Sequence, residues 1–467
     1  MERQVYGPLR KATRRPCATR DKYHRNSSSS NAFEFFRRPR WSELPDPTLP
    51  ISSLKTLYVW LAALTLLSAT LTAKDLFEVQ ASAGSPSPLQ QYGSFNDVTS
   101  AVQDVVEAQG PFHAFENRDY VATLNYLGVR DAATLAISGN GTRADLSIPL
   151  DGRRKTFFGP DRHSLYRQIR DYLLRGAGTS ILGDISKAAN QQSAVALTDG
   201  NPSSTTAVLA ARTFNDFGSL WTRGYDAMGA NDAKGNSVSI LFDGGEFRAE
   251  GHEGKTYGLP IATQFRLSDR VTLKAQIPLQ YIELESASLY QAGIILDLPT
   301  RVVLTHPGQP WDWQVMPTFA FAVSGSKELA AGGGLVAGAL TNVVSYNAGK
   351  FTLTYGNYLS FFEGVDLSIG SYDLQNKVDQ RIMKNGLRVS VPVGDRWLFE
   401  AYGIHTQFFR SAAVSGYFTL GATVGYRLVL PVYGQRVDLG YFSLGLYSEV
   451  GNHYSSGHVQ VGTAWKF

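Results

Sequence analysis

The last ten residues of the chain, from His458 to Phe467, alternate between two kinds of side chain and end on an aromatic ring. Polar and small residues fill every second position. Successive side chains of a β-strand point to opposite faces, so this pattern predicts a strand with one apolar face. A strand of a transmembrane barrel turns such a face to lipid and carries aromatic residues where lipid meets water. The apolar face consists of Val459, Val461, Thr463, Trp465 and Phe467.

This ending resembles the C-terminal β-signal of bacterial outer-membrane proteins, which finish in Phe or Trp after alternating apolar positions. The resemblance implies that these five residues are an assembly signal for the barrel assembly machinery and periplasmic chaperones. It also implies outer-membrane lipid as the final surroundings of the chain. An edge strand of a soluble protein can alternate in the same way, so the rest of the chain has to distinguish the two.

Segments with period-two alternation recur from about residue 236 to the C-terminus. They are about ten residues long or longer, whereas strands of soluble proteins usually have five or six. Their second face carries Gly, Thr, Ser, Gln and isolated charges, as expected for a barrel lumen. The number of segments predicts about twelve strands, and we expect the terminal strand to pair with a first strand near Val238–Phe242. The clearest segments are 271–281, 313–323, 387–393 and 417–430.

Connections of two lengths separate these segments. Tight turns such as 268–270 and 394–396 alternate with longer connections such as 363–385, as turns and loops do in outer-membrane barrels. With about twelve strands and a terminal aromatic, residues 231–467 resemble the solitary outer-membrane autotransporter-type β-barrel family. The resemblance implies a non-enzymatic translocator-type barrel. Residues 74–230 depart from it, because they are too short and too helical for a β-helical passenger.

The first 73 residues have the character of a leader. Residues 1–53 are basic and rich in Ser and Pro, which predicts a disordered extension. Lys55 and the apolar run to Ala73 predict a signal peptide over 54–73, with cleavage after Ala73 preferred and a second candidate site at 81–83. An N-terminal anchor helix is the alternative. This predicts export to the outer membrane of a Gram-negative bacterium. An extension before a signal peptide is unusual, and we hypothesise that 1–53 is a gene-model artefact, which peptides detected from this region would contradict.

Charge and cysteine content exclude several classes of function. The net charge of +4 comes from residues 1–55, which contain 12 Lys and Arg against 5 Asp and Glu. The remaining residues contain 32 and 35, so bulk charge does not support nucleic-acid binding. The only cysteine is Cys17, so neither a disulfide nor a thiolate metal site can form downstream.

Residues 74–230 predict a small α+β periplasmic or plug region. Asn96 or Asp97 is placed to cap one helix and Asp161 a second, and Ala133–Ile137 and Ala144–Leu150 alternate as short strands. A further short helix is expected at 181–185. Beside His163, the run 153–155 has the charge to bind an anion at a helix start, but a solvated loop is the preferred interpretation. We predict linkers or loops at 82–92, 153–155 and 197–206.

Charged residues at inward positions predict a lumen network. Such a network sets the selectivity of a pore or locks a plugged barrel, and we favour locking. A helix within 215–234 is expected to thread or plug the lumen. The predicted lumen charges are Lys274, Asp297, Arg388, Glu400 and Arg427.

The leading functional hypothesis is a non-enzymatic outer-membrane barrel of autotransporter type without a cofactor, a metal or a nucleic-acid partner. The alternatives are a small porin or uptake channel, a soluble periplasmic β-protein, and an outer-membrane rim hydrolase. A hydrolase would use His405 or His453 with Ser411 or Glu449. A G-x-G-x-x-A pattern at 332–337 lies among strand-like residues, which is the wrong context for a dinucleotide site.

Overall fold

A computed structural model describes residues 76–466, apart from 85–87, 177, 215–216, 218–235, 286, 304–309, 330, 370–371, 375 and 433–434. The predicted extension, the predicted signal peptide and Phe467 lie outside the described residues. So does the helix predicted within 215–234, except for Phe217.

Residues 76–192 form a two-layer unit, which we call the α+β unit. Its six antiparallel strands have the order β2-β1-β3-β4-β5-β6, and three helices pack on one face of this sheet. The strands are β1 (Phe77–Ala83), β2 (Leu89–Phe95), β3 (Tyr120–Tyr126), β4 (Val129–Ser138), β5 (Arg143–Ile148) and β6 (Arg153–Phe158). The helices are α1 (Val98–Glu107), α2 (Arg162–Arg175) and α3 (Thr179–Gln192), with 3-10 turns at Gly110–Phe115 and Gly139–Gly141.

The two predicted helix caps are confirmed. The Asp97 carboxylate accepts a hydrogen bond from the backbone N–H of Ser100 at 2.8 Å, and Asp161 accepts one from Ser164 at 2.7 Å. Each bond satisfies an N–H group that has no partner within its helix. Burial opposes ionisation of Asp97, but the hydrogen bonds from Ser100 and Thr99 prevail, and its pKa is lowered from the ordinary value.

Two predicted linkers are strands instead. Residues 89–92 belong to β2, which pairs with β1 at all seven of its positions, so tertiary pairing outweighs a turn-like composition. The run 153–155 belongs to β6 at the other edge of the sheet, where Arg154 and Lys155 are exposed. Lys and Arg are common on edge strands, because their charge discourages pairing with another chain.

The second sheet, formed by residues 237–466, closes on itself into a barrel. Its segments are β7 (Ser237–Ala249), β8 (His252–Gly258), β9 (Ile261–Arg266), β10 (Thr272–Ile277), β11 (Leu279–Leu284), β12 (Ala287–Asp297), β13 (Thr300–Val303), β14 (Trp311–Ser326), β15 (Ala331–Asn347), β16 (Thr352–Val365), β19 (Asp379–Val393), β20 (Trp397–Phe408), β21 (Gly416–Val432), β22 (Gln435–Gly451) and β23 (Tyr454–Lys466). A separate hairpin, β17 (Leu367–Ile369) and β18 (Tyr372–Leu374), lies in the connection between β16 and β19.

Three spanning strands consist of two segments each: β8 with β9, β10 with β11, and β12 with β13. The ring therefore has twelve antiparallel strands over the described residues. The last strand closes it, because β23 pairs with β7 from Tyr454 opposite Ala249 to Trp465 opposite Val238. The predicted barrel of about twelve strands after an α+β region is confirmed, as is the predicted closing pair.

Proline explains the three divided strands. Pro260 separates β8 from β9, Pro278 separates β10 from β11, and Pro299 separates β12 from β13. Each lacks the N–H group that a ladder needs, so the strand continues in direction but loses a hydrogen bond. The prediction of one uninterrupted strand over 271–281 was therefore wrong at Pro278.

The outer face of the barrel is apolar. Large exposed side chains such as Ile294, Phe319 and Leu420 alternate along the strands with buried polar ones. Aromatic pairs lie near one end, with ring centroids 4.7 Å apart for Trp311 and Tyr346. An apolar band bordered by aromatic residues is the surface that a lipid bilayer requires.

The two ends of the barrel differ. We call the end where β7 begins and β23 ends the terminal rim, and the opposite end the domain rim. The α+β unit packs on the domain rim: the Val98 N–H donates to the Glu328 carbonyl at 3.1 Å, and the Tyr126 hydroxyl donates to the Leu329 carbonyl at 3.0 Å. Lys377, from the connection between β16 and β19, donates to Asp184 of α3 at 2.6 Å.

Candidate functional site

The lumen of the barrel is occupied by the chain itself. The segment from Ser193 to Phe217, which we call the plug segment, leaves α3 at the domain rim and runs into the lumen. It contains a buried polar loop and helix α4 (Thr205–Thr213), whose N-cap is Ser204. A polar loop was predicted for 197–206, but the last two of these residues begin α4, and the helix itself was not predicted.

At the entrance to the lumen, barrel residues contact the plug segment through its backbone and through the Asp199 side chain. Val414 donates its N–H to the Gly200 carbonyl at 3.0 Å. The Asp199 carboxylate accepts hydrogen bonds from Thr206 at 2.6 Å and from Gln380 at 3.2 Å. Asp199 lies at the rim, outside the spanning strands, and burial raises its pKa to about 6. This buried acid is therefore a titratable contact between plug and barrel.

One side of the plug segment is apolar and fits a wall of small residues. Phe214 and Phe217 stack with ring centroids 5.1 Å apart and belong to the same buried cluster as Ala320 and Ala337 of the wall. A Cβ atom added at Gly386 would lie 2.3 Å from the Phe217 ring. The glycine thus makes room for an aromatic ring of the plug.

The other side of the plug is fixed by a buried ion pair. Arg212 of α4 lies 2.9 Å from Asp243 of β7, and both side chains are almost completely buried. Tyr447 donates to Asp243 at 3.1 Å, and Arg212 donates to Gln280 at 3.4 Å. These bonds share the charge of the pair among several partners, which a buried ion pair needs in order to be tolerated.

A second anchor lies deeper in the lumen. The Arg388 guanidinium donates to the Phe217 carbonyl at 2.8 Å and lies 5.1 Å from the centroid of the Phe217 ring. Thr213 and Tyr358 share a hydrogen bond of 2.6 Å. The barrel therefore holds the plug at two depths, by Asp243 and by Arg388.

Four of the five predicted lumen charges form two buried pairs, each between different strands. Lys274 is 3.5 Å from Asp297, and both are buried; Arg388 is 3.6 Å from Glu400. Arg427 is half-buried on β21 at the terminal rim, and its backbone N–H donates to Arg396. Of these charges, Arg388 contacts the plug directly. Whether the network sets selectivity or locks the barrel stays a prediction.

A polar cavity of about 80 Å³ separates the plug from part of the wall. Its lining includes Lys384, which donates to Tyr417 at 3.3 Å, and Glu449, which accepts from Ser456 at 3.2 Å. Asp243 and Lys384 are not among the lumen charges predicted from the sequence. The signal was present, because both are charged residues at inward positions of alternating segments. Arg212 gave no such signal, since α4 was not predicted.

The residues considered for a rim hydrolase do not form a catalytic group. His405 packs its ring 4.7 Å from that of Phe418 on the outer face of the wall, whereas Glu449 lies in the lumen. His453 is exposed in a tight turn. Within the described ranges, no three His, Cys, Asp or Glu residues are grouped so as to hold a metal, and no helix is long and apolar enough to span a membrane.

Neither a protein-family model nor a curated protein matches the chain. Similar solved structures include the translocator domain of the autotransporter NalP from Neisseria meningitidis, at 15% identity and a TM-score of 0.41, over 56% of this chain and 98% of that one. The β domain of the Bordetella autotransporter BrkA is 12% identical at 0.36, over 50% and 100%. The NanC porin is 9% identical at 0.33, over 49% and 100%. These proteins include the predicted translocator class together with porins, and the strand pairing of this chain itself shows a closed antiparallel barrel of twelve strands over the described residues.

Proposed function

We propose that this protein is a non-enzymatic outer-membrane barrel of autotransporter type, which holds its own α+β unit at the cell surface. The observation that carries the proposal is the course of the plug segment. It starts at the α+β unit on the domain rim and descends through the lumen to the depth of Arg388. The described chain resumes at the terminal rim with β7.

The orientation follows from the strand number and the connections. With an even number of strands, β7 begins and β23 ends at the same rim, and outer-membrane barrels have their short turns on the periplasmic side. Tight turns occur at both rims, such as 394–396 at the terminal rim and 452–453 at the domain rim, but the longest connection, between β16 and β19, is at the domain rim. This supports a periplasmic terminal rim and an external α+β unit, in place of the periplasmic location considered from the sequence.

The assembly signal and its partners belong to the same proposal. Val459 and Trp465 lie on β23, one of the two strands that close the barrel, and their partly exposed side chains point outward. In this position they are available to the barrel assembly machinery until β23 and β7 pair, and to lipid afterwards.

Single-cysteine labelling tests the orientation, because the natural sequence has no cysteine after Cys17. In a Cys17→Ser background, Tyr92→Cys places a thiol on the exposed edge of the α+β unit, where Tyr92 is 66% exposed. Asp269→Cys places one in a tight turn at the terminal rim, where the Asp269 side chain is 90% exposed. A membrane-impermeant maleimide is expected to label Tyr92→Cys on intact cells and Asp269→Cys only after the outer membrane is permeabilised.

The two variants control each other, because each has its thiol at one rim of the same barrel. Labelling of Asp269→Cys but not Tyr92→Cys on intact cells would place the α+β unit in the periplasm and overturn the proposal. Labelling of both on intact cells would show that the barrel is not held in one orientation, which also contradicts it.

A small channel is the second candidate, and the polar cavity beside the plug favours it. Lys384 and Glu449 give this space charges of both signs. A channel requires conductance with the plug in place, whereas the proposed surface anchor requires a barrel that is closed in planar bilayers.

A further inference from the structure

The α+β unit contains a second cavity, which differs from the one in the lumen. It lies between the sheet and the three helices and has a volume of about 60 Å³. A water molecule needs about 10 to 15 Å³ on this measure, so the space is several atoms long. The sheet contributes Ala122, Ala133 and Ile148, and the helices contribute Ala101, Ile169 and Ile181.

Every side chain that lines this cavity is aliphatic. The sixteen lining residues are Ala, Val, Leu or Ile, and none carries a polar atom or an aromatic ring. The aromatic residues of the same unit pack elsewhere, as in the pairs Phe77 with Tyr126 and Phe95 with Phe112. Water gains no hydrogen bond in such a space, and apolar cavities of this kind stay dry and accept apolar molecules.

Some of the residues that line the cavity are not fully buried. Val102, Leu124 and Leu173 face this space and are only partly buried, although they belong to the core. Protein cores are normally close-packed, so a cavity with this uniform lining is a feature to be explained. Aliphatic side chains without hydrogen-bonding groups recognise a hydrocarbon chain by contact and exclusion of water.

The location of the α+β unit indicates which apolar ligands can reach the cavity. The unit packs on the rim of a barrel whose outer face is apolar, so it lies beside the surface of a lipid bilayer. We propose that this cavity binds an alkyl chain, either of a membrane lipid or of a free fatty acid. This inference does not depend on which side of the membrane the unit occupies, so it can fail or succeed separately from the proposed orientation.

Isoleucine methyl NMR on the full-length protein in a lipid-free amphipathic polymer tests the proposal. Four isoleucines line the cavity, whereas Ile137 is buried in the same unit but lies outside the lining. Addition of hexane is expected to shift the methyl signals of the four and to leave Ile137 unchanged. The four lining residues are Ile148, Ile169, Ile181 and Ile185.

A matched pair of variants on β3 gives the control. Ala122→Leu fills the cavity and is expected to weaken hexane binding roughly tenfold or more. Val121→Leu, on the opposite and exposed face, is expected to leave it unchanged. If Ala122→Leu disturbs the fold, seen as a shifted Ile137 signal, the smaller Ala133→Val takes its place. Hexane shifts that survive both filling variants, or that affect Ile137 equally, would overturn the proposal.

Octanoate and dioctanoyl phosphatidylcholine then distinguish the two sources of the chain. Shifts with octanoate identify a fatty-acid site, and shifts with the phospholipid alone identify a lipid site. No shift with either compound would refute an alkyl-chain site, even where hexane enters the cavity.

Discussion

Arg212 is the residue on which retention of the plug depends most. It is the plug's partner for Asp243, and both groups are buried between α4 and β7. Removing one member of a buried ion pair leaves the other charged and without its counter-ion. Tyr447 offers only a neutral hydroxyl, and the His458 ring nitrogen is 3.7 Å from Asp243, so neither replaces the guanidinium contact and the cost falls on the folded, plugged state.

We therefore expect Arg212→Met to lower the free energy of unfolding by about 3 to 5 kcal/mol, measured by urea denaturation of the reconstituted protein. The control is Arg248→Met, which breaks the exposed ion pair between Arg248 of β7 and Glu253 of β8. That change should cost less than about 1 kcal/mol. Equal effects of the two substitutions would show that the buried pair has no special role.

Asp199 makes the plug contact sensitive to pH. Burial raises its pKa from 3.8 to about 6, so the folded chain keeps a proton that the unfolded chain releases between those values. For this group, stability is gained as pH falls through 6 towards 4 and lost as pH rises, by up to about 3 kcal/mol.

Asp199→Asn should remove this part of the pH dependence. The measurement is the difference in melting temperature between pH 5 and pH 7.5 for the variant and for the natural protein. The exposed Asp119→Asn serves as the control and should keep the natural difference. A variant Asp199→Asn with an undiminished difference would contradict the assignment.

At the scale of elements, we expect the position of α4 and Phe217 in the lumen to determine whether the barrel conducts ions. The plug is seated against glycines of the wall, and a side chain at Gly386 meets the Phe217 ring. We expect Gly386→Val to displace the plug and to raise single-channel conductance in planar bilayers well above that of the natural protein. Gly386→Val combined with Phe217→Ala should conduct less than Gly386→Val alone, because the clash is relieved.

Gly338→Val is the matched control for this experiment. A Cβ atom at Gly338 has open space around it, so this variant should stay closed. A natural protein that conducts as strongly as Gly386→Val would instead favour the channel hypothesis.

The elements differ in how well the sequence predicts them, and the reasons are physical. The long strands of the barrel were predictable, because lipid on one side and a polar lumen on the other impose period two along β21 and β23. The break at Pro278 was overlooked, because side-chain alternation continues through a residue that only lacks a backbone donor. Helix α4 was missed because it is short and begins with Thr205 and Thr206, which are weak helix formers.

The lumen contacts were predictable only in part. Lys274 and Arg388 were identified as inward charges from their place in alternating segments. Their acidic neighbours Asp297 and Glu400 were predicted as well, but the contact of Arg388 with the Phe217 carbonyl depends on which residue of the plug reaches the same depth, and no local pattern encodes that. Arg212 and Asp243 are 31 residues apart in the chain and meet because the plug segment lies inside the ring of strands to which β7 belongs.

At the scale of the whole molecule, the α+β unit is fastened to the barrel as well as continuous with it. Lys377 of the barrel and Arg153 of β6 both contact Asp184, and Ser193 donates to Glu250 at 3.3 Å. The contacts with Lys377 and Glu250 lie at the domain rim, where the plug segment enters the lumen. The unit therefore covers the mouth of the lumen, and its position on the domain rim could not be read from local sequence patterns.

The pairing of β23 with β7 has a mechanical consequence. The hydrogen bonds between these two strands close a ring of chain around the plug segment, which belongs to the same chain. The folded α+β unit prevents the plug segment from being withdrawn through the lumen, unless this unit unfolds or the ring opens between β7 and β23. Release of the plug segment is then governed by a rate rather than by an equilibrium, and the lifetime of the threaded state depends on the faster of the two events, unfolding of the α+β unit or separation of β7 from β23.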